Sequence, residues 1–465
     1  MDALAQSAAL EQGEISAAEL MQATLARIDA VNGAVNAVVS LRDGDELLAE
    51  AQAADATPRK GWLHGIPMAI KDLANVKGLP TSMGSPLFAG QIAENDDVMV
   101  ARLRAAGALF IGKTNIPEFG LGSHTFNPVH GATRNPYDPD KSAGGSSGGA
   151  AAALAARMVS VADGSDMMGS LRNPAGWNNV YGMRPTWGSV PSEPDGEGFI
   201  HQLSTAGPMA RNPRDLAALL DTMTGPEPRL PHNFITDPAL PQIDTPLPPQ
   251  RLGWLGDWSG ALPYEDGIVE ISTAALAQMG GLDTQIIEIK SPFDMGAIWD
   301  SWITLRSFAI AGGHAATYAN PDQRPHLKPA ALWEIERGLA MSAMEVHRAS
   351  VTRSEWFRTA MALFEQVDVL VMPSAQCWPF DVDKVHPTEI AGEQMDTYHR
   401  WMQVVIPAGL IGLPVVNVPI GFGTAGLPAG LQLIGPPGSD ARLLQLAQKW
   451  HQETDWPNAR PPQFG

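Results

Sequence analysis

Three side chains in the first 170 residues could build a nucleophile and its base without a histidine. Ser146 and Ser170 stand 24 positions apart in KSAGGSSGGAAAALAARMVSVADGSDMMGSLR, the stretch from Lys141 to Arg172. Lys71 closes an apolar run, Met68-Ala69-Ile70-Lys71, 75 residues before Ser146. A serine hydroxyl is a weak nucleophile until a neighbouring base takes its proton. Lysine is such a base only when neutral, and its ordinary pKa is about 10.4. Bringing it near neutrality takes about 4 kcal/mol of burial or like-charge repulsion. The strand end MAIK offers that environment. Residue types alone leave an equal alternative: a lysine snorkelling from a strand end, and two structural serines in glycine-rich turns.

The elements that must position these groups follow from periodicity and punctuation. Ser16-Ala17-Ala18-Glu19 is a capping box opening an amphipathic helix that closes near Asn32-Gly33. HGIPMAIKD, from His64 to Asp72, reads as a buried strand running into a polar turn. A helix from about Asp97 to Gly107 leads into the strand ALFIGKT, and helix Ala150–Arg157 into strand Met158–Ala162. After a proline-rich crossing from Gly225 to Gln250 comes a section bearing Trp254, Trp258, Trp299 and Trp302. Glu345 to Gln366 is helical, VDVLVM (Val367–Met372) is a strand, and PVVNVPIG and GLQLIG are two more before a helix around Arg442–Gln452. The late strands lack partners of their own, so they join the sheet begun early. The expectation is an α/β fold, one domain over residues 1–465, with a central mixed, twisted β-sheet flanked by helices on both faces. Residues 225–350 read as a variable inserted or cap region.

Composition narrows the function class. A formal net charge of −19 lacks the basic stripe a nucleic-acid binder needs. No apolar run reaches 18 residues, so no membrane span is expected. The N-terminus lacks the layout of a secretory signal, which makes the cytoplasm the expected location. Cys377 is the single cysteine, which excludes an internal disulfide and a cysteine-rich metal site. His124 and His130 lie six apart with no further ligand pattern, so no metal is expected.

Two familiar patterns fail on context. Gly107 to Thr114, GALFIGKT, spells a phosphate-binding loop, but a helix precedes it, its middle is strand-like and Pro117 interrupts the residues after it. GGSSGG spells a nucleophile elbow around Ser146 and Ser147, yet NPYDPDKSA before it is no buried strand. Ser147 is expected to hold the turn by hydrogen bonding.

Taken together and in this order, GIPMAIKD, GGSSGG and DGSDMMGSLRNP resemble the amidase signature family of serine amidohydrolases. KTNIPEFG, GATRNPYDPDKSAGGSSGG, YGMRPTWG, DVLVMPS, GLPVVNVPIG and LPAGLQLIG extend the likeness from about Ala17 to Gly435, with the signature core at 60–215. The resemblance implies a Ser–cis-Ser–Lys triad: Ser170 as nucleophile, Ser146 after a cis Gly145–Ser146 bond as proton relay, and Lys71 as base. It implies an oxyanion hole from the backbone N–H groups of Met167, Met168, Gly169 and Ser170, with Asp166 and Arg172 paired to brace that turn. Leu121, Gly122, Met168 and Trp177 are expected to line the substrate pocket. Met168 departs from the family, many of whose members carry two glycines before the nucleophile, and so questions a left-handed backbone at that position.

The activity implied is hydrolysis of a small-molecule carboxylic amide to acid plus amine or ammonia, through a seryl acyl-enzyme and without cofactor or metal. The amide could be small aliphatic, aryl, amino-acid or peptide amide, or a carbamate. The alternative is a glutaminase subunit feeding ammonia to a partner that amidates misacylated tRNA. Such subunits carry the glycine pair and an RYDG-like segment, where this chain reads LRSFAIAGGHAATY around Leu305–Tyr318. The resemblance leaves a homodimer open.

Overall fold

Strands between Val161 and Ile434 form one eight-stranded sheet in the computed structural model, which describes residues 1–464; the late strands join it, but the earliest ones, in HGIPMAIKD and ALFIGKT, do not. A separate three-stranded sheet comes first, made of β1 (Val38–Val39), β2 (Pro67–Lys71) and β3 (Leu109–Thr114). The large sheet comprises β4 (Val161–Asp166), β5 (Tyr181–Arg184), β6 (Thr205–Ala210), β7 (Gln250–Trp254), β8 (Thr284–Glu288), β9 (Val369–Pro373), β10 (Val415–Phe422) and β11 (Pro428–Ile434). Its order is β8-β7-β9-β11-β10-β5-β6-β4. The pairs β7–β8 and β7–β9 are parallel and the rest antiparallel, so the sheet is mixed. The small sheet abuts edge strand β4, where the Lys71 N–H donates to Asp163 Oδ1 at 3.0 Å.

Period-two alternation sends successive side chains to opposite faces of the large sheet. Val369 and Val371 of β9 enter a core with residues of α3 (Pro213–Met223), α4 (Ile268–Met279) and α8 (Asp440–Thr454). Leu370 and Met372 enter another, with residues of α5 (Met295–Ala319) and α7 (Ala343–Leu363). Helices therefore flank both faces, with α6 (Pro329–Leu339) packed on α5. The Ser16/Glu19 capping box forms and opens α1 (Ala17–Val35). Alanine-rich α2 (Gly148–Ala155) is buried along its length against β2, β3, β4 and β6.

The segment 225–350 supplies β7 and β8 to the sheet as well as α4, α5 and α6. GALFIGKT forms β3 over six residues, and Lys113 is turned inward to Ala74 O and Thr81 Oγ1. The strand expected at Met158–Ala162 runs instead from Val161 to Asp166. Arg157 takes a left-handed φ of 60°, and the Met158 N–H closes the helix end on Ala153 O, which uses up the residues before the strand.

That offset places Asp166 at the strand end, fully buried, directly before the turn bearing Ser170. Its Oδ1 accepts from Gly169 N–H (2.9 Å) and Arg172 Nη2 (2.9 Å), its Oδ2 from Leu171 N–H (3.1 Å) and Arg172 Nε (2.9 Å). Arg184 Nη1 lies 3.3 Å from the same Oδ1. Burial pushes this carboxyl up, but Arg172 and then Arg184 outweigh it and hold its pKa far below 3.8. Asp166→Asn should therefore lower stability by about 3–5 kcal/mol, read as a lower urea midpoint, because two guanidinium groups stay buried without their anion. A carboxyl with a depressed folded-state pKa stabilises above its unfolded pKa and loses that contribution on acidification. Wild type should thus lose the increment progressively below pH 3.8, and Asp166→Asn should show a flatter acid limb.

Candidate active site

Every residue of β2 is buried, so Lys71 delivers its amine into the interior rather than to water. Its Nζ stands 2.8 Å from Ser146 Oγ, 2.8 Å from Ser147 Oγ, 3.0 Å from Ser165 Oγ and 3.3 Å from Ser165 O. Burial pushes its pKa down to about 7, against the opposing pull of Asp163 and Asp166. A neutral amine has two N–H groups and a lone pair, so a surrounding hydroxyl can donate to it. Asp163 is itself pushed up to about 6 by burial, so it is still mostly ionised at neutrality, and its pull on Lys71 is outweighed by the burial of the amine.

Ser146 follows Gly145 through a cis peptide bond, and Ser147 next to it donates its N–H to Ser170 O at 3.3 Å. The two serine-bearing turns are thereby joined. Ser147 does more than hold its own turn, since its Oγ is one of the groups around the Lys71 amine. It can approach because position 164 is glycine: a Cβ there would lie 2.7 Å from Ser147 Oγ.

In the turn before Ser170, Gly169 takes the left-handed φ, at 78°, and Met168 does not. A Cβ at 169 would also lie 2.7 Å from Val405. Methionine at 168 is therefore compatible with the backbone the turn needs. The expected set of four oxyanion donors is reduced by one, because the Gly169 N–H is already given to Asp166 Oδ1 at 2.9 Å. The N–H groups of Met167, Met168 and Ser170 have no acceptor among the described residues.

A cavity of about 90 Å³ is lined by Ser146, Ser170, Leu121, Gly122, Met167 and Met168, with Arg306 and His399 in its wall. No direct hydrogen bond joins the two catalytic-candidate hydroxyls among the described residues. Trp177 lies elsewhere: it is 1% exposed, stacked on Trp401 at 5.7 Å, and its Nε1 donates to Cys377 O at 3.2 Å. A second cavity of about 340 Å³ reaches Lys71, and Leu73, Ser165 and Ser204 line both.

Ser165 and Asp163 were accessible to sequence reasoning as polar residues two apart, hence on one face, in an otherwise small and apolar strand. Arg306 and Glu334 carried no such signal. Their ion pair joins two helices across 28 residues, and His399 reaches Glu334 across 65.

The chain is similar to known proteins. The family model described as Amidase matches residues 19–444. The chain is 33% identical to a glutamyl-tRNA(Gln) amidotransferase subunit of Thermus thermophilus, over 98% of each chain. It is 31% identical to an acylamidase of Rhodococcus erythropolis, over 99% of this chain and 97% of that one. Its fold superposes on a bacterial aryl acylamidase of the amidase signature family with a TM-score of 0.91 and 26% identity, covering 99% of both. Sequence and fold agree, and the chain belongs to the amidase signature family of amide C–N hydrolases.

Proposed function

We propose that this protein is a stand-alone cytoplasmic amidase that cleaves a carboxylic amide through an acyl-enzyme on Ser170. The observation that carries the reading is the Lys71 amine: fully enclosed, with a pKa near 7, and 2.8 Å from the hydroxyl of Ser146, which shares a cavity with Ser170.

In the reaction, Ser170 Oγ attacks the amide carbonyl carbon as its proton passes to Ser146 Oγ, whose own proton passes to Lys71 Nζ. The carbonyl π pair moves onto oxygen, where the N–H groups of Met167, Met168 and Ser170 are the available donors. The tetrahedral intermediate collapses with cleavage of the C–N bond. The departing nitrogen takes a proton from Ser146, which Lys71 replenishes. Water then repeats the sequence on the acyl-enzyme, releasing the acid and restoring the Ser170 hydroxyl. The acyl part occupies the smaller cavity beside Ser170, and the amine part the larger one beyond Leu73, Ser165 and Ser204.

The rival reading, a glutaminase subunit, draws support from the likeness to the Thermus amidotransferase chain. Against it stand Met168 in place of the first glycine and LRSFAIAGGHAATY in place of an RYDG-like segment. The purified chain should release ammonia or amine from a panel of aliphatic, aryl and peptide amides. Activity on glutamine alone, and only with a partner bound, would sink the stand-alone reading.

Ser170→Ala should reduce turnover at least about 10,000-fold with an unchanged circular dichroism spectrum, and Lys71→Ala nearly as much at neutral pH. Because the base acts in its neutral form, kcat/KM should rise with pH through a limb near 7 and level off above it. Near-wild-type hydrolysis by Ser170→Ala, or a flat profile from pH 5.5 to 8.5, would refute the assignment. Filling the larger cavity with Ala206→Trp should lower kcat/KM for an anilide at least about tenfold relative to the matching primary amide. Equal losses on both would place the amine side elsewhere.

A further inference from the structure

The mechanism leaves one wall of the smaller cavity unused, and that wall is ionic. Arg306 of α5 and His399 line the cavity that also holds Ser146 and Ser170. Arg306 Nε donates to Glu334 Oε1 at 3.0 Å, and its Nη2 to the Tyr398 hydroxyl at 3.1 Å. Its Nη1 meets only a thioether, Met167 Sδ, at 3.2 Å. Tyr398 Oη and His399 Nε2 both hydrogen-bond to the same Glu334 Oε1. Arg306 is 3% exposed and Glu334 and His399 are 0%, so no solvent screens these charges.

The hydrogen-bond inventory shows what this wall has left to offer. A guanidinium carries five N–H donors; three contacts, one of them to sulfur, leave two uncommitted. Burial pushes the pKa of His399 down to about 4 against the pull of Glu334, so the ring is neutral near pH 7. With its Nε2–H directed at Glu334, the other ring nitrogen is a bare acceptor. That Nδ1 is buried and has no partner among the described residues. The wall therefore offers donors from Arg306 and one acceptor from His399.

Its charge, by contrast, is already balanced. Burial pushes Glu334 up, but Arg306 and His399 outweigh it and bring its pKa to about 2, so it is an anion beside the Arg306 cation. A further cation, Lys328, donates to Leu121 O at 2.6 Å and is drawn first to Glu118. A carboxylate entering the cavity would meet a cation whose partner anion is already in contact. It would add one buried negative charge with nothing to offset it. A neutral polar group would find donors and an acceptor at no such cost.

We propose that the Arg306–Glu334 pair, with His399, is a specificity device on the acyl side of the site: it selects amides whose acyl chain ends in a neutral group bearing both donor and acceptor, such as a second carboxamide, and rejects carboxylate-ended ones. The inference rests on the amidase reading for the chemistry, but the selection is a property of binding and can be read without turnover.

Glutaramide and glutaramate share length and scissile carboxamide and differ only in a terminal amide against a carboxylate. Calorimetric titration of the Ser170→Ala chain should show glutaramide binding about 100-fold more tightly, and wild-type kcat/KM should follow the same order. Glu334→Gln leaves Arg306 uncompensated and should improve glutaramate relative to glutaramide at least about tenfold. Removing one member of a buried pair can unfold a protein, whereas replacing both by apolar residues is generally tolerated. The double variant Arg306→Met, Glu334→Met should lower the preference for glutaramide over butyramide at least about tenfold. Equal binding of the two glutaryl compounds, or a double variant that keeps the glutaramide preference, overturns the proposal. Selective binding of glutaramide by a wild-type chain that hydrolyses none of these amides would sink the amidase reading and leave this one standing.

Discussion

Asp166 is a single buried carboxylate that takes the N–H groups of Gly169 and Leu171 on one side and the guanidinium groups of Arg172 and Arg184 on the other. The turn carrying Ser170 is folded around that charge. Arg172 extends the constraint outward, donating to Val405 O at 2.8 Å and to Gln432 Oε1 of β11 at 2.7 Å. Arg184 of β5 carries it to Leu203 O at 2.9 Å. The turn carrying Ser170 is thus fixed from three separate parts of the chain. Donors held in this way need little reorganisation as charge develops on the substrate oxygen, which is where preorganised dipoles contribute most to rate.

The lysine side of the site is built on the opposite principle. Asp166 retains its charge because two cations surround it, whereas burial away from water weakens the hold of Lys71 on its proton. Moving the Lys71 pKa from 10.5 to about 7 corresponds to about 5 kcal/mol of differential interaction between its two forms. The fold bears that cost where a salt bridge would have been the stabilising alternative. Asp163 could have supplied one, but its Oδ1 is turned to the Lys71 backbone N–H and burial shifts it toward neutrality. A pKa of about 7 leaves about half of the Lys71 amine neutral at pH 7, even beside a largely ionised Asp163.

What could be read from the sequence divides along the same physical lines. Lys71, Ser146 and Ser170 stood out as candidates because each sits in a short run with a well-defined local setting (an apolar strand end, a glycine-rich turn, a turn after a strand), but residue types left an equal structural alternative and only the family resemblance gave them roles. The strand Val369–Pro373 was legible because its run of apolar residues has one stable environment, between two layers of helices. Trp177 was misplaced because residue type sets how strongly a side chain seeks burial but not against what, and Trp401 lies far along the chain. The start of β4 was misplaced by three residues because a left-handed Arg157 has no sequence signature comparable to glycine. The Arg306–Glu334–His399 cluster was invisible because it exists only once three distant elements have packed.

Met168 and Met167 connect these two levels. With Gly169 bearing the left-handed conformation, position 168 is relieved of any backbone requirement and its side chain becomes part of the cavity wall. Met167 goes further, for its sulfur is the contact of Arg306 Nη1 while its backbone N–H stands among the proposed oxyanion donors. In the proposed reaction, the wall that meets the acyl chain and the turn that meets the carbonyl oxygen therefore share a residue. A substrate that engages Arg306 must displace or accommodate the Met167 thioether, and so bears directly on the turn beside Ser170. Thioethers are soft and conformationally adaptable, so that coupling can operate without disturbing the hydrogen bonds by which Asp166 fixes the backbone beneath it. Backbone rigidity and side-chain adaptability are in this way assigned to different residues of one turn, the first to Gly169 and Leu171, whose N–H groups Asp166 holds, and the second to Met167 and Met168.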